Sequence, residues 1–312
     1  MGSEMCIRDS VISDKMVEEY IESKWGRSLD ISIVYQEKKG IEEAIKVGIE
    51  ASNVRENVMI VYGDVITSTN AYSVVLDAYL STNVDGVVLT VPLGQYETYG
   101  IILWENGLLK KIVEKPVTPQ ESSMAVGGVF ILPVDIRDHF ERGHTITEAL
   151  NIMARERKII SAFWSGIWID VGFPWDILEA NRLILRQIRE SRISSRATIE
   201  NTAVIKGPIV VEDNAYIDHH AVIKGPAYIG PNTFIGMGSF IREFTSVEEG
   251  AVIGAHAEAR RCSLQPESSI GSSAFIGNTV VGYKASIGPN VVTLNVLPSG
   301  VKISRVTPIR VR

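Results

Sequence analysis

The sequence predicts an α/β region with a mainly parallel sheet, followed by an all-β region wound as a β-helix. Three observations carry this expectation. Between Ile31 and about Leu185, short apolar runs alternate with stretches of helical periodicity, as buried strands joined by crossover helices do. From Ala197 the period changes to six residues, which suits neither an α-helix nor a flat strand. The 312 residues also exceed the roughly 100–200 typical of a single domain.

Residues 1–10, MGSEMCIRDS, show neither helical nor strand periodicity. Gly2-Ser3 resembles a vector scar and EMCIRDS a read-through of adapter sequence, so the segment reads as an artefact or else as a disordered native tail. On the artefact reading, the native N-terminus is missing and the first domain starts partway through. Lys15–Ser23 is helix-like, Ile31–Tyr35 predicts a strand and Ile41–Ser52 a helix. Val58–Tyr62 is an apolar strand that ends at Gly63-Asp64. Asn70–Leu80 predicts a helix and Gly86–Val91 a β-branched strand. Tyr99–Trp104 and Leu108–Val113 flank Glu105-Asn106-Gly107, whose Asn-Gly pair signals a hairpin. Thr147–Arg157 predicts a helix with Thr147 as its N-cap. The expected domains are 11–190, N-terminally incomplete, and 197–296, with 297–312 as a tail or cap.

In the second region aliphatic residues recur in unbroken register at Ile199, Ile205, Val211, Ile217, Ile223, Ile229, Ile235, Ile241, Val247 and Ile253. Two positions before each stands a mostly small residue, such as Ala215, Ala221, Ala227, Thr233 and Ser239. Turn residues follow, as in Lys224-Gly225-Pro226 and Gly230-Pro231-Asn232. Each unit thus lays one short strand on a wall of a prism and turns a corner, with the aliphatic residue pointing inward. The register is expected to fail at Ala259 and Gln265 and to resume through Ile270, Ile276, Val281 and Ile287 with two one-residue slips.

Composition narrows the function. Lys+Arg total 31 against Asp+Glu 37, a net charge of −6; with no basic block, this argues against nucleic acid or an anionic membrane as the main partner. Two cysteines, Cys6 and Cys262, are too few for a disulfide framework and fit a reducing cytoplasm. No apolar run approaches the roughly 18 residues of a membrane span.

Several motifs stand in a recognisable order. Val61-Tyr62-Gly63-Asp64-Val65 ends an apolar strand in a carboxylate. Tyr99-Gly100 is followed by Val113-Glu114-Lys115-Pro116. Trp168-Ile169-Asp170-Val171-Gly172, with Pro174-Trp175 and Leu178-Glu179-Ala180-Asn181, repeats the strand-carboxylate-glycine setting. Tyr35-Gln36 precedes Gly40. Taken singly, Asp64 reads as a turn residue, Lys115 as a solvated lysine, Glu114 as a surface carboxylate and Gly100 as a strand glycine. Taken together, they resemble the Rossmann-like nucleotidyltransferase domain of sugar-1-phosphate nucleotidylyltransferases, including glucose-1-phosphate thymidylyltransferases and N-acetylglucosamine-1-phosphate uridylyltransferases. The hexapeptide run resembles the left-handed β-helix that follows this domain in the two-domain members and that also occurs in acyltransferases.

The resemblance implies transfer of a nucleotidyl group from UTP or dTTP to a hexose-1-phosphate. It implies Mg²⁺ held by Asp64 and Asp170, with Lys115 as the third catalytic residue, and substrate contacts from Gln36, Gly40, Gly63, Tyr99, Gly100 and Glu114. The chemistry fits these residue types. Both reactants are polyanions, and Mg²⁺ takes one or two carboxylates, with phosphates and water completing its shell. Lys115, fixed before Pro116, would offset transition-state charge on the α-phosphate.

The chain departs from the family pattern in three places. No G-x-G-T-R loop for the triphosphate occurs, Gly40-Ile41 replaces Gly-Thr, and Val126-Gly127-Gly128 replaces Asn-Ala-Gly. The expectation is that the polypeptide as given turns over slowly. Alternatives are a hexapeptide acyltransferase, for which no histidine precedes Ile276 in the segment Ser272–Phe275, or a non-catalytic assembly protein that binds nucleotide sugar. His219, His220 and His256 read as solvated turn residues. A row of outward apolar residues, Tyr216, Val222, Tyr228, Phe234 and Phe240, predicts burial in a homotrimer through the β-helix or, as the alternative, beneath a helix of the same chain around Ile184–Ile188.

Overall fold

The structure, a computed structural model, describes residues 9–12, 14–25, 31–92, 99–118, 120 and 122–293. The first eight residues and the 297–312 tail lie outside the described residues. The chain forms two compact units, divided between Trp168 and Ile169.

The first unit opens with β1 (Asp9–Ile12), α1 (Lys15–Trp25), β2 (Ser32–Tyr35) and α2 (Ile41–Ser52). Asp9 and Ser10 pair in parallel with Ser32 and Ile33. The strand therefore begins inside the segment assigned above to an artefact or disordered tail. A backbone ladder uses no side chains, so these polar residues leave no pattern to read.

Next come β3 (Asn57–Val61), β4 (Val65–Thr67), α3 (Thr69–Ser81), β5 (Gly86–Pro92), β6 (Gly100–Glu105), β7 (Leu108–Glu114), β8 (Met124–Pro133), α4 (Ile136–Glu141), α5 (Ile146–Met153) and β9 (Ile159–Phe163). The main sheet has the order β3-β8-β5-β9-β7-β6. β3, β5 and β9 run the same way, as the strand–helix alternation implies, and β5 pairs with β9 in parallel. Between β3 and β5 lies β8, antiparallel to both, so the sheet is mixed.

β5 and β8 are buried on both faces. Val88, Phe130 and Leu132 pack against Ile45 and Ile49 of α2 and Leu150 of α5. Their neighbours Val87, Leu89, Val129 and Ile131 turn to the other face, against Ala71 and Val75 of α3. The period of two sends alternate residues to opposite sides.

The predicted hairpin is β6–β7, with Gly100 opposite Glu114. The predicted N-cap needs correction. α5 starts at Ile146, capped by Thr145, whose hydroxyl accepts from the Glu148 N–H at 3.3 Å. Glu148 in turn accepts the Thr145 N–H at 2.8 Å. This reciprocal box requires a Glu three residues after the Thr, which Thr147 lacks; the helix ends at Met153 rather than Arg157.

After β10 (Trp168–Asp170), the second unit contains α6 (Asp176–Leu185) and then short parallel strands stacked in three walls. Ile199 stacks on Ile217 and Ile235, 18 residues per coil. The inward aliphatics and the small residues two positions earlier form one continuous buried column. At one corner Asn214 and Asn232 take positive φ (57° and 56°), with their side-chain amides bonded at 3.2 Å.

Two expectations about this region are revised. Ala259 keeps its inward place, fully buried between Ile241 and Ile276. The next inward residue is Leu264, not Gln265, because that unit is one residue short and the coil repeat falls from 18 to 17. The outward apolar residues are not one row. Three units complete a coil, so successive units lie on successive walls. Tyr216 and Phe234 share one wall, with rings stacked at 5.6 Å, Val222 and Phe240 a second, and Tyr228 lies on the third.

Candidate active site

The loop between β3 and β4 carries Gly63 and Asp64, both exposed. Beneath it, the Tyr62 N–H donates to the Gly128 carbonyl of β8 at 2.9 Å. Burial pushes the Tyr62 phenol above its ordinary pKa, and the carboxylates of Glu42, Asp64 and Glu114 add to the shift. These three carboxylates, far apart in sequence, thus all act electrostatically on one phenol.

Glu114 ends β7, directly opposite Gly100. A Cβ at Gly100 would stand 3.0 Å from Glu114 Oε2 and 3.1 Å from Ile112 Cγ2, so the glycine keeps open the space that the carboxylate occupies. The same oxygen accepts a hydrogen bond from the Thr147 hydroxyl at 3.1 Å.

Lys115 is exposed, with φ at +40° and a buried proline after it. Left-handed backbone is costly for a side-chain-bearing residue and gathers at functional sites. The Lys115 N–H is held by the Tyr99 carbonyl at 3.2 Å. Tyr99 packs edge-on against Trp168 at 5.4 Å, and the Trp168 indole donates to the Gly127 carbonyl at 2.9 Å. Tyr99, Gly100, Glu114 and Lys115 thus share one hairpin end, braced by aromatic packing.

Gln36 follows β2 and is half-buried. Its N–H is bonded to the Ile12 carbonyl at 3.1 Å, and its side-chain amide donates to the Lys38 carbonyl at 3.1 Å. Gly40 precedes α2 with φ at +132°. Two residues on, Glu42 accepts the Ile146 N–H at 3.1 Å, tying this loop to the start of α5. Asp170 closes β10, half-buried, in the second unit. Among the described residues, no cluster of three or more His, Cys, Asp or Glu gathers in metal-binding fashion.

The sequence reading did not single out Glu42, placed Thr147 only as a helix cap, and quoted Trp168 only as part of the Asp170 motif. Each lies next to an assigned element, but only the fold shows which way its side chain turns. In the second unit His219 has both ring nitrogens engaged, Nδ1 with Thr202 Oγ1 at 3.0 Å and Nε2 with a Glu200 oxygen at 3.4 Å.

The nucleotidyl transferase family model matches residues 7–187, and the chain belongs to that family. More narrowly, it is of the sugar-1-phosphate nucleotidylyltransferase kind. A bifunctional sugar-1-phosphate nucleotidylyltransferase/acetyltransferase of Sulfurisphaera tokodaii is 30% identical over 93% of this chain and 71% of its own length. The bifunctional protein GlmU of Methanocaldococcus jannaschii is 36% identical over 64% of this chain and 50% of its own. For the fold alone, a crystal structure described as a glucose-1-phosphate thymidylyltransferase of Bacillus anthracis superposes with a TM-score of 0.51 at 20% identity. That superposition covers 59% of this chain and 78% of the other.

Proposed function

We propose that this chain transfers a nucleotidyl group from UTP or dTTP to a hexose-1-phosphate, releasing pyrophosphate. A sugar-phosphate oxygen bonds to the α-phosphorus as the bond from that phosphorus to the bridging oxygen breaks. The observation that carries this reading is the hairpin end at which Gly100 stands opposite Glu114, followed by a lysine held at positive φ with its N–H on the Tyr99 carbonyl.

Glu114 accepts hydrogen bonds from sugar hydroxyls, while Gly100 and Gly63 leave room for close approach to backbone. Lys115 offsets charge on the α-phosphate. Gln36 and Gly40 contact the base, and Tyr99 completes the sugar side. Asp64 and Asp170 supply only oxygen donors, the donor type that Mg²⁺ selects, and both would hold that ion. When bound, it neutralises phosphate charge.

Residues 1–312 contain no G-x-G-T-R segment, and we infer that this polypeptide alone turns over slowly. We also place it in the cytoplasm, as a homotrimer through its β-helix. Among the described residues, no helix is long and apolar enough to cross a membrane. Pyrophosphate release, measured with each NTP against glucose-1-phosphate and N-acetylglucosamine-1-phosphate, tests the reaction. Release that requires both substrates supports it, and none with any pair at high protein concentration contradicts it.

A further inference from the structure

Helix α5 meets strand β7 through two side chains on one helix face. Asn151 and Thr147 are four residues apart, so they lie one above the other. Asn151 Oδ1 accepts the Ile112 N–H at 2.6 Å and its Nδ2 donates to the Ile112 carbonyl at 2.9 Å. A residue's N–H and C=O leave a strand on the same side. On that side of Ile112 the only neighbouring-strand pairing of β7 among the described residues is Leu108 with Ile160, so a side-chain amide stands in for a strand partner. Ile112 and Glu114 are two apart, and one helical turn earlier Thr147 donates to Glu114 Oε2.

We propose that Thr147 is a positioning residue for the sugar-binding carboxylate, with Asn151 fixing the strand that carries it. The inference rests on the function proposed above. Oε2 is committed to the protein: it accepts from Thr147 and occupies the space that Gly100, having no side chain, leaves open. Oε1 of the exposed Glu114 is therefore the oxygen that faces the sugar. One carboxylate oxygen is spent on orientation so that the other meets a hydroxyl in a fixed direction. Without the Thr147 hydroxyl, Glu114 rotates freely, and that freedom must be lost again when sugar binds.

The test compares Thr147→Val, Thr147→Ser and Glu114→Gln in the full chain, by pyrophosphate release at enzyme concentrations that give measurable rates. Valine keeps the shape and removes the donor, whereas serine keeps it. Thr147→Val is expected to raise KM for the hexose-1-phosphate about tenfold, the loss of one bond to a charged group. KM for the NTP should stay within twofold, and Thr147→Ser should restore the parent value. If Glu114→Gln raises the sugar-phosphate KM but Thr147→Val does not, the positioning role is wrong. It is equally wrong if Thr147→Val lowers kcat alone, or if Thr147→Ser fails to rescue while melting like the parent. If Glu114→Gln itself leaves that KM unchanged, the assignment of the sugar site is wrong and the inference falls with it.

Discussion

Tyr62 and Gly128 meet face to face: the Tyr62 N–H donates to the Gly128 carbonyl at 2.9 Å, and the Tyr62 ring closes over the glycine. Gly128 has φ at +74°. A Cβ there would lie 2.9 Å from Val65 Cγ2 and 3.1 Å from Tyr62 Cδ2. These two residues flank the Gly63-Asp64 turn, so β8 supports the acidic loop from below.

Gly128→Ala should therefore destabilise the first unit by roughly 2–5 kcal/mol, combining left-handed strain with overpacking. Urea unfolding would show a lower midpoint. Because the crowding pushes on the Asp64 loop, pyrophosphate release should fall more than stability alone explains. An unchanged midpoint would mean that β8 does not constrain the loop.

The Thr145–Glu148 box gives a pH dependence with a definite sign. The Thr145 backbone N–H, followed by its hydroxyl, holds the Glu148 carboxyl below its ordinary value of 4.5. The folded state thus favours the ionised form. The resulting stability is present above the unfolded pKa and is lost as pH falls through the lower folded pKa. Glu148→Gln keeps the cap geometry but not the charge. Its urea midpoint should lie below the parent's at neutral pH, and the gap should close below pH 4.5. A gap independent of pH would show that the carboxylate charge contributes nothing.

The β-helix is largely legible in the sequence because its signal is one residue type at one spacing. The buried column repeats that pattern wherever each unit has six residues. Where a unit is one residue short, periodicity points to Gln265 and the stacking chooses Leu264. In the first unit, local signals such as Asn106-Gly107 and the apolar β5 are readable. The antiparallel insertion of β8 between β3 and β5 is not, since strand order depends on contacts distant in sequence. Motif order points to Glu114 and Gly100, and the hairpin puts them opposite each other. Thr147 resembles a cap in sequence because a threonine hydroxyl near a helix start can face either its own helix or a neighbouring strand, here β7.

The revised wall assignment reshapes the trimer proposal. A subunit contact on one wall can use Tyr216, Phe234 and Val252, of which Phe234 and Val252 are 40% and 39% exposed. Light scattering should give about three times the 34.3 kDa chain mass, and Phe234→Glu should lower it by placing a charge in an apolar contact. A parent mass of one chain would contradict the trimer.

The proposed reaction and its metal are tested together by pyrophosphate release from Asp64→Asn and Asp170→Asn beside the parent chain, with Mg²⁺, NTP and hexose-1-phosphate at high protein concentration. The exposed Asp64 bears little of the packing, so the melting temperature of its variant should match the parent's. Each substitution should lower the parent rate by at least about 10²-fold, as the loss of a preorganised electrostatic group does. Parent-like release from either well-folded variant would contradict the assignment of these two carboxylates to the catalytic metal.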